Sequence, residues 1–202
     1  MKVLSIDVGI INLGYVFAEI SFSNKYSNIN KYYLDEDFLI EVLDCNRVNI
    51  TNMKHTVMKF CDCKLHHDYC IPDYLDHFIQ EHSEMFDTSE LIIIERQPPM
   101  GVTNVQDLLF TKYRNKVVLM NPGSVHKYFM MSRDYSKRKM ESEKIASKYL
   151  CSFSNFYNNT RKHDIADAML MLIYYYSTKN KELFNNSRKR VVLDFEQFRF
   201  GN

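Results

Sequence analysis

The sequence predicts an α/β fold in which helices flank a mixed sheet of five strands, the first three of them antiparallel. Two observations support this prediction. Three strand-like segments follow one another within residues 2–44 with only turn-like or loop-like residues between them, which is typical of an antiparallel meander. From residue 71 onwards, helical and strand-like segments alternate, which is typical of strands that are connected by helices.

The three opening strands are predicted at residues 2–6, 14–22 and 38–44. The first, KVLSI, is short and mostly apolar and ends at Asp7. The second, GYVFAEISF, alternates apolar and polar side chains well enough for a strand, and FLIEVLD is the third candidate. The segment at residues 23–33 is polar and rich in asparagine, which predicts a loop between the second and third strands.

The middle of the chain alternates between helix and strand. Apolar residues three or four positions apart predict a helix over residues 71–86, with a proline in its first turn. The continuous apolar run LIIIE at residues 91–95 predicts a strand that is buried on both faces. A helix over residues 102–115 and a fifth strand over residues 116–121 follow.

The last third of the chain is predicted to be mainly helical. Pro122 opens a helical stretch that continues to residue 131, and a basic segment at residues 132–150 has helical spacing in its second half. A strong helix is predicted over residues 163–178. Its apolar stripe consists of Ile165, Ala168, Met169 and Leu172. We therefore expect one domain over residues 1–178 and a peripheral basic tail over residues 179–202.

The composition limits the class of protein. A chain of 202 residues with 46% hydrophobic residues suits one globular domain with a sizeable core. No stretch reaches the roughly 18 apolar residues of a membrane helix, and Asp7 interrupts the apolar N-terminal run, so we expect neither a membrane span nor a signal peptide. With five cysteines, an odd number, this predicts a reducing, intracellular location.

The two halves of the chain differ in charge. Residues 1–100 contain 8 Lys and Arg against 16 Asp and Glu, a net charge of −8, whereas residues 101–202 have a net charge of +9. This asymmetry favours a polyanionic partner for the second half. The alternative is that the halves interleave in the fold and their charges mix.

Four carboxylates stand where predicted elements begin or end. Asp7 ends the first strand, Glu95 ends the fourth, and Asp164 and Asp167 lie three residues apart near the start of the last helix. Clustered carboxylates repel one another unless a cation neutralises them, and hard oxygen ligands suit Mg²⁺ or Mn²⁺. Taken singly, each could instead form a turn hydrogen bond or stabilise a helix dipole.

These carboxylates lie in segments that resemble a known family. The segments SIDVGIINLG, IIIERQPP and HDIADAMLM, with the basic segment between the last two, resemble the RuvC-type Holliday junction resolvases. The resemblance is closest to the resolvases of poxviruses and related large DNA viruses. The ERQ triplet is also similar to that of fungal mitochondrial resolvases. The resemblance extends over residues 2–177.

The resemblance implies an RNase H-like fold and an endonuclease that cuts four-way DNA junctions by paired nicks. It implies that Asp7, Glu95, Asp164 and Asp167 bind two Mg²⁺ ions, for which Mn²⁺ should substitute. Because paired nicks call for two active sites, we expect a homodimer. The poxvirus relatives imply a role in viral genome concatemer resolution and recombination, in the host cytoplasm or the virion.

The same family uses a lysine of the basic helix near the scissile phosphate. The candidates are Lys137, Arg138 and Lys139, and counting back from the last helix favours Lys139. An ordinary solvated helix face is the equally weighted alternative. Lys112 and Arg114 join Lys137, Arg138 and Lys139 as predicted contacts to the nucleic-acid backbone.

Two further features leave alternatives open. His163 could assist or ligate, although a capping or surface histidine is favoured. Tyr174, Tyr175 and Tyr176 could form a dimer surface or belong to the core.

The segment CDCKLHHDYC at residues 61–70 departs from the resolvase pattern. Cys61, Cys63, His67 and Cys70, or the adjacent His66, could hold a structural zinc ion. However, the ligand spacing lacks the two separated pairs of a zinc knuckle. Reduced, partly buried thiols are therefore the favoured interpretation, and a redox pair is the third.

Three other functions compete with a resolvase. The spacing of Asp7, Gly9 and Gly14 also occurs in ATPases and sugar kinases of the actin type, which need a second glycine-rich loop that this chain lacks. Another RNase H-like nuclease would act on RNA–DNA hybrids or flaps. A non-catalytic nucleic-acid-binding module could be built around the cysteine segment.

Overall fold

A computed structural model of the protein describes residues 1–22, 32–34, 38–51, 68–101 and 103–178. In these residues one sheet has helices packed on both of its faces. Its strands are β1 (Lys2–Asp7), β2 (Leu13–Phe22), β3 (Tyr32–Leu34), β4 (Phe38–Val48), β5 (Leu91–Glu95) and β6 (Val117–Met120).

The strand order across the sheet is β3-β4-β2-β1-β5-β6. β1 pairs antiparallel with β2, and β2 pairs antiparallel with β4, whereas β5 is parallel to both β1 and β6. The five predicted strands and the antiparallel pairing of the first three are therefore confirmed.

The sequence-based prediction is incomplete at one edge of the sheet. β3 is a sixth strand that falls partly inside the predicted loop at residues 23–33, and it pairs with the first three residues of β4. Its Tyr-Tyr-Leu sequence favours a strand, but the asparagine-rich residues before it dominate the pattern. β4 also runs past residue 44 to Val48, because the start of β2 lies opposite and supplies hydrogen-bond partners.

Two layers of helices cover the sheet. The back layer consists of α1 (Ile71–Glu81), α2 (Ser83–Thr88) and α3 (Asn104–Lys112). The front layer consists of α4 (Pro122–Tyr128), α5 (Tyr135–Leu150), α6 (Ser154–Tyr157) and α7 (residues 162–178). The helix predicted over residues 71–86 is thus two helices, because the backbone leaves the helical conformation at His82.

Side chains of β5 alternate between the two layers, as the continuous apolar run predicts. Leu91 and Ile93 belong to the core under the front layer, whereas Ile92 and Ile94 belong to the core over the back layer. All four are buried. By the same alternation, Glu95 points towards the front layer.

The apolar stripe of α7 forms much of the front core. Ile165, Ala168, Met169 and Leu172 have no exposed surface, as predicted. Tyr176 is also largely buried and its ring lies 5.8 Å from that of Phe38. The ring of Tyr174 lies 5.4 Å from that of Tyr128. These two tyrosines therefore pack within the chain, and a dimer surface at residues 174–176 stays a prediction.

Some predictions concern residues that the structure does not describe. The proposed tail at residues 179–202 lies outside the described residues, as do Cys61, Cys63, His66 and His67 of the cysteine segment. Within the described ranges, no helix is long and apolar enough to cross a membrane.

Candidate active site

Asp7 and Glu95 lie side by side at the ends of two neighbouring parallel strands. β1 and β5 are paired with Ile6 opposite Ile94, so the next residue of each strand is one of the two carboxylates. Both point towards the front layer, and a hydrogen bond joins the two carboxyl groups. The carboxyl end of a parallel sheet is where open α/β proteins usually bind their ligands.

The front layer brings two further carboxylates to the same place. Asp164 and Asp167 are three residues apart in α7 and therefore lie on one face of its first turns. The negative charges of both act on Asp7. The structure thus brings together all four predicted carboxylates, which come from three elements that are distant in the sequence.

Burial and mutual repulsion weaken three of these acids. Burial, followed by the charges of Glu95, Asp167 and Asp164, raises the pKa of Asp7 well above its ordinary value. Burial raises the pKa of Asp167 to about 7, and the charges of Glu95 and Asp164 add to this effect. The pKa of Glu95 is raised by burial and lowered in part by the hydrogen bond with Asp7. The Asp7–Glu95 hydrogen bond requires a shared proton, which relieves part of the repulsion.

Asp164 has a cationic partner that the sequence analysis did not identify. Arg161 Nε lies 2.9 Å from Asp164 Oδ2, and Arg161 Nη2 lies 3.3 Å from Asp164 Oδ1. The guanidinium therefore engages both oxygens of this carboxylate, and its hydrogen bond to Asp164 raises the pKa of Arg161.

His163 lies beside the cluster and is only 8% exposed, so the expectation of a surface histidine is wrong. Its Nε2 is 3.1 Å from Asp164 Oδ1, without hydrogen-bond geometry, and its Nδ1 is 3.7 Å from Glu143 Oε1. Residues of α5 lie near this side chain, since Glu143 is its neighbour and the charge of Lys139 acts on it. Burial lowers the pKa of His163, which favours the neutral imidazole.

Two glutamines hold Glu95 in place. Gln97 Nε2 donates a hydrogen bond of 2.6 Å to Glu95 Oε2. The backbone N–H of Gln97 in turn donates to Oε1 of Gln106 in α3, at 2.7 Å, and Gln106 is buried. The glutamine of the ERQ triplet therefore orients the carboxylate that precedes it by two residues.

α5 contacts the cluster through a buried serine. Ser142 is fully buried, its Oγ donates a hydrogen bond of 3.0 Å to the carbonyl oxygen of Lys139, and its side chain contacts the Asp167 carboxyl group. Lys139 is therefore one turn from the contact with Asp167. Its charge acts on His163, and its Nζ lies 4.1 Å from the centre of the Tyr135 ring.

The three candidates on α5 differ in their placement. Lys139 and Arg138 are partly buried, and the charge of Arg138 acts on Asp167, whereas Lys137 is exposed. A phosphate bound at the cluster would therefore lie nearer to Lys139 and Arg138 than to Lys137. The roles of all three stay predictions.

Lys112 and Arg114 lie at the opposite end of the sheet. They stand at and just beyond the carboxyl end of α3, before β6 begins, whereas the cluster follows the carboxyl end of β5. Lys112 Nζ is 2.6 Å from Asp76 Oδ1, and the Arg114 guanidinium lies 5.5 Å from the centre of the Phe110 ring. A DNA contact by these two residues stays a prediction, and it would lie away from the acidic cluster.

Cys70 is the described member of the predicted zinc set. It is exposed at the N-terminus of α1, and its Sγ lies 3.5 Å from Asp73 Oδ2. For this residue the interpretation as a partly buried thiol is wrong. A structural zinc ion stays a prediction, because the other proposed ligands lie outside the described residues.

The donor set of the cluster suits a hard dication. Four carboxylates converge, and the raised pKa values of Asp7, Glu95 and Asp167 mean that the nearby cations compensate the negative charge only in part. Nevertheless, in the described ranges no group of three His, Cys, Asp or Glu side chains is arranged to hold a metal ion. The carboxylate oxygens of Asp7 and Glu95 take part in their mutual hydrogen bond, and those of Asp164 take part in the ion pair with Arg161. These side chains therefore have to turn before they can bind an ion.

Arg161, Ser142 and Gln106 were not predicted from the sequence to belong to the site. Arg161 had a usable signal, because a residue three positions before Asp164 can meet it across one helical turn. Gln97 stood in the quoted ERQ triplet, but its role was not assigned. Ser142 lies among the charged residues of the basic segment, so its sequence surroundings do not indicate a partner in a distant segment.

The raised pKa of Asp167 predicts how stability depends on pH. The pKa of Asp167 is about 7 in the folded protein and 3.8 ordinarily. The contribution of this carboxyl group to the free energy of unfolding is therefore fully present below about pH 4, and it is lost as the pH rises through 7. In chelator, we expect Asp167→Asn to be more stable than the wild type at pH 8 by up to about 4 kcal/mol, and equal to it near pH 4. Urea unfolding at both pH values measures this difference.

Asp76→Asn is a control of opposite sign. Burial alone would raise the pKa of Asp76, but the hydrogen bond and charge of Lys112 outweigh burial and lower it. We therefore expect Asp76→Asn to destabilise the protein at pH 8, with an effect that fades as the pH falls below 4. Loss of stability in Asp167→Asn at pH 8 would contradict the account of the acidic cluster.

Comparison with known proteins identifies the fold. No protein-family model and no curated protein sequence matches the chain. Among solved structures, the fowlpox virus resolvase in complex with substrate Holliday junction DNA is 19% identical with a TM-score of 0.54, over 88% of this chain and 99% of that chain. Another structure, of the fowlpox virus Holliday junction resolvase, is 16% identical with a TM-score of 0.55, over the same shares of the two chains.

A bacterial structure also has a similar fold at low sequence identity. Thermus thermophilus RuvC is 13% identical with a TM-score of 0.51, over 88% of this chain and 97% of that chain. At such low identity the similarity concerns the arrangement of strands and helices. It agrees with the mixed sheet, its antiparallel first strands and the flanking helices described above. The chain therefore has the fold of the RuvC-type resolvases, an RNase H-like fold.

Proposed function

We propose that this protein is a Holliday junction resolvase, a structure-selective endodeoxyribonuclease that cuts four-way DNA junctions by paired nicks. One observation carries this proposal. Four carboxylates from β1, β5 and α7, one of them buried and three partly buried, converge beside Arg138 and Lys139 of α5. A solved structure of similar fold contains Holliday junction DNA, which supports this class of substrate.

The carboxylates have one role in this proposal. Asp7, Glu95, Asp164 and Asp167 would together hold two Mg²⁺ ions, or Mn²⁺ in their place. When bound, such ions activate a water and stabilise the leaving 3′ oxygen of the cut strand. The elements that carry these residues provide a rigid setting, because β1 and β5 pack in the cores on both faces of the sheet and α7 packs in the front core.

Lys139 would stabilise the charge that develops on the scissile phosphate. It is partly buried, and its backbone carbonyl accepts a hydrogen bond from Ser142, which contacts Asp167. Arg138 would contact the same phosphate or its neighbour. Lys137 is exposed and would serve affinity, because contacts to the DNA backbone add attraction without base preference.

Two further parts of the proposal concern assembly and biology. Symmetric cutting of two strands calls for two copies of the active site, so we propose a homodimer with twofold symmetry. A role in viral concatemer resolution and recombination, in the host cytoplasm or the virion, extends the proposal on the basis of the resemblance to poxvirus resolvases.

Cleavage of a synthetic four-way junction in Mg²⁺ tests the function. We expect paired nicks in opposite strands of the junction by the wild type, and loss of cleavage by at least about 100-fold in Glu95→Gln, because the amide removes a charged oxygen ligand. Junction binding in chelator should be retained by this variant. Denaturing gel analysis of each labelled strand locates the nicks.

Linear duplex, a flapped duplex and an RNA–DNA hybrid of the same sequence are the control substrates. Faster cutting of the hybrid or the flap than of the junction would favour another RNase H-like nuclease. Retention of cleavage in Glu95→Gln would show that the acidic cluster is not the active site.

Substitutions on α5 separate chemistry from affinity. We expect Lys139→Ala to reduce the single-turnover rate at saturating protein by about 100-fold, because a charge near the developing phosphate charge is removed. Lys137→Ala should instead weaken junction binding about two- to five-fold and leave the saturated rate unchanged. Equal effects of the two variants on the saturated rate would contradict the assignment of Lys139.

A further inference from the structure

α7 carries two of the four carboxylates, so its position on the sheet decides whether the cluster forms. Two contacts near these residues join the sheet to the backbone of α7, one at Gly14 in β2 and one at Ser5 in β1. We propose that Gly14 and Ser5 are positioning residues that hold α7 where Asp164 and Asp167 face Asp7. This inference rests on the proposed function, because it assigns a role in the same acidic cluster.

Gly14 allows the backbone of α7 to approach β2 closely. A Cβ atom at Gly14 would lie 2.1 Å from the carbonyl oxygen of Asp164, 2.4 Å from its carbonyl carbon and 3.0 Å from the nitrogen of Ile165. All three are backbone atoms, so no side chain can rotate to make room. None of the described glycines has a positive φ, and a special backbone conformation therefore does not explain the glycine. The absence of a side chain explains it.

The register of the sheet places this contact level with the cluster. Gly14 is the residue of β2 that pairs with Asp7 of β1. Two and four residues further along β2, Val16 and Ala18 point into the front core that α7 completes. Gly14 lies on this same face by the alternation of the strand. The peptide of Asp164 thus rests on the strand residue beside Asp7.

Ser5 provides a directional contact one helical turn further on. Its side chain is fully buried, and its Oγ donates a hydrogen bond of 2.7 Å to the carbonyl oxygen of Ala168. Ser5 lies two residues before Asp7 on the same face of β1, and Ala168 directly follows Asp167. The hydroxyl therefore connects β1 and α7 close to two of the carboxylates, Asp7 on the strand and Asp167 on the helix.

Together the two contacts fix the position of α7 along its own axis and its rotation about that axis. Asp164 and Ala168 are four residues apart, so the two contacts lie on one face of the helix. The remaining contacts of α7 in the front core are mainly apolar and therefore lack a preferred direction. Apolar packing of this kind stabilises the helix but does not by itself fix its rotation and axial position. The steric contact at Gly14 and the hydrogen bond of Ser5 fix both.

Ser5→Ala tests the proposal, with Ser89→Ala as the matched control. Ser89 is also buried and also donates a 2.7 Å hydrogen bond to a carbonyl oxygen, that of Met85, but it lies between α2 and β5, far from the cluster. We expect both variants to lower the melting temperature by similar amounts. Only Ser5→Ala should weaken Mn²⁺ binding to the DNA-free protein, by about 10-fold, as is typical when a residue that supports a metal ligand is removed.

Mn²⁺ binding is measured from the electron paramagnetic resonance signal of the free ion, and single-turnover junction cleavage is measured in parallel. Ser5→Ala should also slow cleavage at saturating Mn²⁺ while its junction affinity in chelator matches that of the wild type. Equal Mn²⁺ affinity in Ser5→Ala and Ser89→Ala would overturn the proposal, because it would leave the hydroxyl with a structural role alone.

Gly14→Ala provides the stronger perturbation, with Gly123→Ala as its control. A Cβ at Gly123 would meet only a side-chain oxygen of Asn121, at 3.2 Å. We expect Gly14→Ala to bind junction in chelator but to cut about 100-fold more slowly, because a misplacement of about 1 Å can cost that much. Wild-type cleavage by Gly14→Ala would overturn the proposal, and if this variant does not fold, the Ser5 pair decides.

The design separates this inference from the proposed function. If the wild type binds Mn²⁺ at the cluster but cuts no junction, the proposed function fails. The Mn²⁺ affinities of Ser5→Ala and Ser89→Ala then still decide whether Ser5 positions the carboxylates.

Discussion

The repulsion among four carboxylates that lie buried or partly buried at the carboxyl ends of β1 and β5 is the constraint on which the rest of the structure depends. Burial and neighbouring charge both favour the protonated acids, as the raised pKa values of Asp7, Glu95 and Asp167 indicate. The protein tolerates this arrangement through a shared proton between Asp7 and Glu95 and through the guanidinium of Arg161 on Asp164. The fold supplies the stability that the cluster lacks, with apolar cores on both faces of the sheet.

Much of the fold could be predicted because its signals are local. The run LIIIE predicts a strand buried on both faces, and the spacing of Ile165, Ala168, Met169 and Leu172 predicts the buried face of α7. The failures have a physical cause in pairing. β3 and the second half of β4 are strands because a neighbouring strand offers hydrogen-bond partners, and a single segment of sequence does not contain that information.

Within the acidic cluster, the carboxylates could be predicted from the sequence, whereas the residues that support them could not. Asp7 and Glu95 end apolar runs, where a charge is conspicuous, whereas their supporting residues are inconspicuous polar side chains. Ser5 reaches Ala168 across 163 positions of the chain, and no spacing rule connects such residues. Gly14 was noticed for its spacing from Asp7, but its contact with the backbone of Asp164 follows from three-dimensional packing alone. Sequence periodicity thus locates the charged side chains of a site more readily than the contacts that position them.

The central claim is that the acidic cluster is built to be neutralised by divalent cations. The most direct measurement is the anomalous diffraction of crystals soaked in Mn²⁺. The account predicts manganese peaks among Asp7, Glu95, Asp164 and Asp167, with the Arg161 guanidinium no longer engaging both oxygens of Asp164. Crystals without manganese at this place, in which the Asp7–Glu95 hydrogen bond and the Arg161–Asp164 ion pair both persist at saturating Mn²⁺, would contradict it.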